Sequence, residues 1–344
     1  MLFLLVFAMA FSATALLTPV VRRLALRWGA VDRPGYRRVH TKPTPRMGGL
    51  AMFITVTFTL VVARGWSDAT VGIVAGSIVI VLLGIYDDIR GVPAKVKLLF
   101  QVFAAVIPVA YGFYFSWVVN PFGGAFYVDG LGAVFSILWI VGMINTINLT
   151  DGLDGLAAGI TMIAALLFFV TSMAYGHYGV AIISIALAGS TLGFLQYNFN
   201  PALIFMGDTG SMYLGYMLSV LVLESMAQRV STTEFLIPLM ILGLPILDLL
   251  FAIVRRKMHG KPIMTADRAH IHHRILDKGY SPKQTVLLMY GLSSGFGMVA
   301  LSVLYFRWAS IIMVCAFVLM GIVVWQMYPR PQWLRRRYQL GKKG

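Results

Sequence analysis

Residues 131–174, LGAVFSILWIVGMINTINLTDGLDGLAAGITMIAALLFFVTSMA, decide the fold class. Two apolar runs, 131–147 and 155–174, flank a short polar turn that contains two aspartates. Each run is long enough to cross the roughly 30 Å hydrocarbon core of a bilayer as a helix. Backbone groups must be satisfied internally in lipid, and runs of about 20 residues favour helices over the roughly 10-residue strands of a barrel. The stretch therefore predicts a helical hairpin inside a membrane.

The same pattern extends along nearly the whole chain of 344 residues, of which 59% are hydrophobic and 12% charged. We predict eleven transmembrane helices, at 1–20, 48–64, 69–86, 98–118, 131–147, 155–174, 179–197, 211–228, 235–254, 284–306 and 309–327. No polar stretch is large enough for a separate domain. The expected fold class is all-α, a polytopic membrane helix bundle that forms one domain over 1–344 with a basic tail at 328–344. This composition excludes a soluble globular domain.

The basic residues predict the orientation of the bundle. With the N-terminus outside and the C-terminus in the cytoplasm, 25 of the 28 Lys and Arg residues fall on the inner side, as the positive-inside rule requires. The formal net charge of +15 is then explained by a lipid bilayer as the partner. We therefore expect a multi-pass protein of the cytoplasmic membrane and no binding of nucleic acid.

Five carboxylates lie in short segments at the inner helix ends of this topology: Asp87, Asp88, Asp151, Asp154 and Asp208. The adjacent pair at 87–88 repel each other unless a cation or hydrogen bonds compensate, although a solvated helix end is the alternative. Asp151 and Asp154 are three residues apart and share a helix face if the sixth span begins near Asp151. Helix capping accounts for one of them, but not for both together with Asn148.

Asp208 stands just before the eighth span, in Phe205-Met206-Gly207-Asp208-Thr209-Gly210-Ser211. The N-terminus of a helix favours anions such as phosphates. A carboxylate is also a hard oxygen ligand, suited to Mg²⁺ or Mn²⁺ that bridges to substrate phosphates. Metal and helix terminus together indicate a diphosphate site at the membrane surface.

Two further features lie towards the C-terminus. Asp267-Arg268-Ala269-His270-Ile271-His272-His273-Arg274 favours anion recognition over zinc, because no cysteine lies nearby, and a basic juxtamembrane loop is the alternative. Asp248 falls within the ninth span, where a carboxylate usually faces the bundle interior or a cavity. Its place, beside the site or bonded to a neighbouring helix, is left open by the sequence.

Taken together, Tyr86-Asp87-Asp88, residues 148–155 (NLTDGLDG), residues 205–211 (FMGDTGS) and residues 270–274 (HIHHR) resemble the polyprenyl-phosphate N-acetylhexosamine-1-phosphate transferase superfamily, glycosyltransferase family 4. The HIHHR pattern is similar to the bacterial WecA/TagO-like branch. The resemblance implies Mg²⁺-dependent transfer of GlcNAc 1-phosphate from UDP-GlcNAc to undecaprenyl phosphate, with release of UMP. The product would begin a cell-envelope glycan such as wall teichoic acid or O-antigen.

The resemblance also implies roles for individual residues. The catalytic residues are expected to be Asp87, Asp88, Asp208 and His273, and the three aspartates are also the expected metal ligands. Residues expected to bind the donor are Asn148, Asp151, Asp154, Asn198, Phe205, His270, His272 and Arg274. Lys42 and Arg46 are expected to contact phosphate, and a homodimer is a candidate assembly.

Two alternatives remain open at this stage. A phospho-MurNAc-pentapeptide transferase, or a transferase for another UDP-HexNAc, would use the same chemistry on a different donor, although the former group typically carries three consecutive histidines. An ion-coupled transporter would also need carboxylates in a membrane bundle, but it predicts acids near the midplane, where only Asp248 is placed.

Overall fold

The computed structural model describes residues 1–32, 43–119, 125–226, 232–258, 260, 270–302, 315 and 318–319. The helices are α1 (Leu2–Trp28), α2 (Gly49–Arg64), α3 (Asp68–Arg90), α4 (Ala94–Ala110), α5 (Asp129–Thr150), α6 (Leu156–Tyr175), α7 (Tyr178–Asn198), α8 (Gly207–Met226), α9 (Thr232–Ile241), α10 (Gly243–Met258), α11 (Ile271–Asp277) and α12 (Pro282–Ser302). The strands are β1 (Val31–Asp32), β2 (Thr44–Pro45), β3 (Trp117–Val119) and β4 (Ala125–Tyr127).

Six of the described helices, α1, α3, α5, α6, α7 and α12, are long and apolar enough to cross a membrane, and the bent pair α9–α10 brings the number to seven. The prediction of a multi-pass helical membrane protein is therefore confirmed. The count of eleven is not, and the span at 309–327 and the tail at 328–344 lie almost entirely outside the described residues. The orientation of the termini stays a prediction.

The predicted helix at 98–118 is wrong at its C-terminal end. Helix α4 stops at Ala110, and Gly112 adopts a left-handed φ of 93° that turns the chain. Strands β3 and β4 then form an antiparallel hairpin, with Trp117 opposite Tyr127 and their rings 5.1 Å apart. With the pairing of β1 and β2, the described chain contains two small sheets, so the bundle is not purely helical.

The predicted helix at 235–254 is also wrong in form. The chain breaks at Leu242, and α9 and α10 meet at an angle of 75°. Pro238 lies inside α9, where its missing N–H removes one hydrogen bond from the helix. The break carries α10 and its Asp248 in a direction that one straight span would not give.

Helix α8 forms the centre of the bundle. All sixteen residues from Thr209 to Glu224 are buried, which is typical of a helix surrounded by other helices. Nearby, α1 and α7 pack backbone to backbone, since a Cβ on Gly189 or on Gly193 would lie 2.5 Å from a carbonyl oxygen of α1. The core thus fixes the ends of α8 firmly with respect to its neighbours.

The bundle has two ends with different chemistry. The site end carries the C-termini of α3 and α5 and the N-terminus of α8, at Arg90, Thr150 and Gly207. The opposite end carries the C-termini of α2 and α8, at Arg64 and Met226. The predicted catalytic carboxylates all belong to the site end.

Candidate active site

The first turn of α8 is built around Asp88. Its carboxylate accepts hydrogen bonds from the backbone N–H groups of Asp208 and Thr209, at 3.0 and 3.1 Å, and from the Thr209 hydroxyl at 2.6 Å. Gly207 leaves room for this contact, because a Cβ there would lie 2.3 Å from Asp88 Oδ2. Asp88 therefore caps α8. Its expected part in catalysis and metal binding stays a prediction, since both of its oxygens are engaged by the helix.

Backbone hydrogen bonds join the start of α2 to the segment before α8. The N–H groups of Gly48 and Gly49 donate to the carbonyls of Phe205 and Met206, both at 3.0 Å, and the Phe205 N–H donates to Pro45 at 2.9 Å. A Cβ on Gly49 would lie 2.1 Å from the Cα of Gly210, so only glycine permits this approach. The two segments, which are far apart in the sequence, thus set the position of Asp208 together.

A cluster of four side chains, which we call the Lys97 cluster, gathers Lys97, Asp87, Asp208 and Asn148. The Lys97 ammonium donates to Asp87 Oδ2 at 2.8 Å and to Asp208 Oδ2 at 2.5 Å. Asn148 donates to Asp208 Oδ1 at 3.2 Å and to Ser211 at 2.8 Å. Asp87, a predicted catalytic residue, and Asp208, at the predicted diphosphate site, therefore lie in one cluster. Its side chains come from α3, α4, α5 and α8.

Charges at this site perturb one another. Burial raises the pKa of Asp151 to about 8, and the negative charges of Asp208 and Asp88 add to the rise. Burial acts in the same direction on Asp208, but hydrogen bonding with Asp87 and the charge of Lys97 outweigh it and lower the pKa of Asp208. Burial opposes the charge of Lys97, yet Asp208 and Asp87 raise its pKa. Lys97 and Asp208 are thus held as an ion pair, in a cluster whose described side chains carry more carboxylates than positive charges.

The carboxylate oxygens of the Lys97 cluster partly match the ligand set of a divalent cation. Among the described residues, no group of three or more His, Cys, Asp or Glu side chains could hold a metal. However, Oδ2 of Asp87 and Oδ2 of Asp208 converge on one cation, the Lys97 ammonium. Mg²⁺ commonly uses only one or two carboxylates and completes its shell with water and substrate phosphates. Asp87 and Asp208 suit such a site, whereas Asp88 is occupied as a cap.

Asp154 and Asn198 hold two loops together. Asp154 Oδ2 accepts hydrogen bonds from the Asn200 side chain at 3.1 Å and from the Ala202 N–H at 3.0 Å. Asn198 accepts from the Gly155 N–H at 3.1 Å and donates to the Ile204 carbonyl at 3.0 Å. Both side chains are buried. These contacts give the two residues a structural role, and their expected contacts with the donor stay predictions.

The histidine motif packs onto the loop that carries Asp151. His270, His272 and Arg274 are buried, and only His273 is partly exposed. A Cβ on Gly152 would lie 2.4 Å from Nε2 of His272, so that ring rests directly against the loop. Burial lowers the pKa of His272 to about 3 and keeps the ring neutral. Among these four side chains, His273 therefore keeps the most exposed surface, and its contact with a ligand stays a prediction.

The expected phosphate contacts near the N-terminus have different outcomes. Arg46 pairs with Asp32 at 2.6 Å, next to the paired strands β1 and β2. It is close enough to Asp151 for its positive charge to oppose the rise of that pKa. Lys42 lies outside the described residues. Phe205, which is expected to bind the donor, is partly buried at the junction with α2.

Comparison with known proteins gives the same family. The profile of glycosyl transferase family 4 matches residues 70–226. The chain is 42% identical to a protein of Bacillus subtilis named probable undecaprenyl-phosphate N-acetylglucosaminyl 1-phosphate transferase, over 83% of this chain and 80% of that protein. This chain belongs to glycosyl transferase family 4. The superfamily resemblance found in the sequence is confirmed.

Two other relatives are named for different substrates. A decaprenyl-phosphate N-acetylglucosaminephosphotransferase of Mycolicibacterium smegmatis is 39% identical, over 78% of this chain and 74% of that protein. A phospho-N-acetylmuramoyl-pentapeptide-transferase of Geobacillus thermodenitrificans is 29% identical, over 86% of this chain and 95% of that protein. The profile match includes Asp87, Asp151 and Asp208, but ends before the histidine motif.

Sequence reasoning missed Lys97 as a member of the site. In the sequence, Lys97 is only one of the basic residues that predict the orientation. A lone lysine at the start of a helix does not indicate contact with two carboxylates. The available signal was its position ten residues after Asp87, across the short connection between α3 and α4. Ser211, which accepts from Asn148, was missed as well.

Proposed function

We propose that this protein transfers GlcNAc 1-phosphate from UDP-GlcNAc to undecaprenyl phosphate and releases UMP. The Lys97 cluster carries the proposal, because it joins carboxylates, an ammonium and an amide at the site end of the helical bundle. A reaction between two phosphorylated substrates needs charge neutralisation and alignment more than a strong nucleophile. The cluster offers both, beside the N-terminus of α8.

The relatives support the choice of donor and acceptor. The relatives named for N-acetylglucosamine are 42% and 39% identical to this chain, whereas the one named for the muramoyl pentapeptide is 29% identical. The HIHHR motif points in the same direction. We therefore assign the chain to the GlcNAc branch and expect undecaprenyl-diphosphate-GlcNAc as the product, which begins a cell-envelope glycan of the wall teichoic acid or O-antigen type.

In the proposed reaction, an oxygen of the acceptor phosphate forms a bond to the β-phosphorus of the donor. The bond from that phosphorus to the bridging oxygen breaks, and its electron pair leaves with UMP. Asp87, fixed by the Val92 N–H at 2.6 Å, orients Lys97 towards Asp208. The ammonium lowers the repulsion between the approaching phosphates, and Asn148 holds Asp208 in line with α8.

A divalent cation, Mg²⁺ or Mn²⁺, would be held by Asp208 and Asp87. When bound, it would supply the positive charge that offsets the donor diphosphate and the surrounding carboxylates. His273 would contact the donor from the other side of the site. Asp88 would act through the α8 terminus that it caps.

We place the site at the inner face of the bacterial cytoplasmic membrane. The distribution of Lys and Arg supports this orientation, because it leaves only Arg64, Arg229 and Arg307 on the outer side. A water-soluble nucleotide donor would reach the site from the cytoplasm, and the lipid acceptor from the bilayer. A homodimer remains a candidate assembly.

The purified protein in detergent provides the test. Radiolabelled UDP-GlcNAc, UDP-GalNAc and UDP-MurNAc-pentapeptide are each incubated with undecaprenyl phosphate, with Mg²⁺ or with EDTA. We expect label in the lipid fraction from UDP-GlcNAc and only with the metal. Lipid product from the muramoyl donor instead would move the chain to the other branch. Uptake into vesicles without any lipid product would favour a transporter.

A further inference from the structure

Asp248 has no part in the proposed reaction, yet it is buried and makes two specific hydrogen bonds. Its Oδ2 lies 3.0 Å from Nδ1 of His270, and its Oδ1 accepts from the N–H of Ile271 at 3.0 Å. Only 5% of the Asp248 surface and 3% of the His270 surface is exposed. A buried carboxylate is costly unless hydrogen bonds compensate it, so these contacts indicate a defined task.

We propose that Asp248 is the positioning residue of the histidine motif, which it fixes to the membrane bundle so that His273 reaches the donor. This inference rests on the proposed function. Helix α11 has only seven residues, too few to be stable without tertiary contacts. Asp248 supplies such a contact at the first residue of α11, from α10 in the bundle.

The contacts continue from Asp248 to the loop that carries Asp151. The rings of His270 and His272 are nearly parallel, with an angle of 7° and a centroid distance of 6.0 Å. His272 lies against Gly152, next to Asp151, and its ring is 4.2 Å from that of His273. Loss of the Asp248 contact would therefore move His273 relative to the loop that faces Asp208.

The bend between α9 and α10 explains why the aspartate stands within a predicted span. The bend of 75° directs α10 so that Asp248, in its second turn, faces the start of α11. In a straight helix, the same residue would have suggested an ion pathway. Of the two readings that the sequence left open, the structure shows the bond to a neighbouring helix, α11, and we infer that this bond links the bundle to the histidine motif.

The test compares Asp248→Ala and Asp248→Asn with a matched control, Glu224→Gln. Glu224 is also a buried carboxylate, but it pairs with Arg64 at the opposite end. Steady-state rates with UDP-GlcNAc and undecaprenyl phosphate give a separate KM for each substrate, and thermal unfolding gives Tm. A displacement of about 1 Å can reduce catalysis by about 100-fold.

We expect Asp248→Ala to lower kcat/KM for UDP-GlcNAc by about 100-fold through both constants, with the KM for undecaprenyl phosphate unchanged. Asp248→Asn should recover most of the loss, because its amide oxygen still accepts from Ile271 and its NH₂ can donate to His270. Glu224→Gln should lower Tm and leave both KM values unchanged. An Asp248→Ala variant that behaves like Glu224→Gln would overturn the proposal.

A double-mutant cycle separates positioning from general damage. If Asp248 acts through the motif, Asp248→Ala and His270→Ala should together cost about as much as either alone, whereas fully additive losses would contradict the link. Thermal stabilisation by UDP-GlcNAc, measured without acceptor, should also be weaker in Asp248→Ala than in the wild type. Wild-type protein that forms no lipid product would refute the proposed function itself, a result distinct from these.

Discussion

The two ends of the bundle treat buried charge in opposite ways. At the opposite end, Arg64 donates twice to Glu224, at 2.8 and 3.3 Å, so one positive charge meets one negative charge. At the site end, a single ammonium, that of Lys97, serves the carboxylates of both Asp87 and Asp208. The charges of Arg64 and Glu224 balance each other, whereas among the described side chains of the Lys97 cluster two carboxylates share one positive charge. This difference supports the proposal that the site end receives a cation and phosphates.

The largest effect should follow from Asp208→Asn. This change keeps the size of the side chain but removes the charge that pairs with Lys97 and would hold the metal. Loss of a preorganised electrostatic group typically costs 10²- to 10³-fold in kcat, and we expect a loss of about 10³-fold here. The transfer assay measures it, with an unchanged Tm showing that the bundle is intact. Asp68→Asn, at the exposed start of α3, is the control, and near-normal turnover of Asp208→Asn would remove Asp208 from the site.

Lys97→Met should have the next largest effect. Without the ammonium, Asp87 and Asp208 repel each other, and kcat/KM should fall by about 10²-fold. The same repulsion predicts a lower Tm in EDTA and a larger rise of Tm on adding Mg²⁺ than in the wild type. Lys95→Met, two residues away and exposed, should change neither quantity. If the rise of Tm on adding Mg²⁺ equals that of the wild type, Lys97 does not lie at the cation site.

At the opposite end, the same kind of change should affect stability without affecting chemistry. Glu224→Gln leaves the partly buried Arg64 with a neutral partner, which costs about 3 kcal/mol in the free energy of unfolding. The kcat of the folded protein should stay at the wild-type value. The double variant Arg64→Met, Glu224→Leu should recover most of the stability, because an apolar pair avoids the desolvation of both charges. A large fall in kcat for Glu224→Gln would show that the two ends are coupled.

The sequence predicted what depends on local composition. Apolar runs locate most helices to within a few residues, and the carboxylates at their ends are correctly grouped because short connections keep them at one surface. It could not predict the break at Leu242, which depends on how α9 and α10 pack against other helices. It also could not distinguish a carboxylate that caps a helix, such as Asp88, from one that pairs with Lys97, since only tertiary contacts decide this.

His272 offers the smallest test, and it concerns pH. Burial lowers its pKa to about 3, below the value of about 6.5 expected in the unfolded chain. Folding therefore favours the neutral ring: its full contribution to stability is present above about pH 6.5 and is lost as the pH falls towards 3. His272→Gln cannot be protonated, so its Tm should decline less than the wild-type Tm between pH 7 and pH 5. Equal slopes for His272→Gln and the wild type would contradict the lowered pKa and would mean that the His272 ring is solvated in the folded protein.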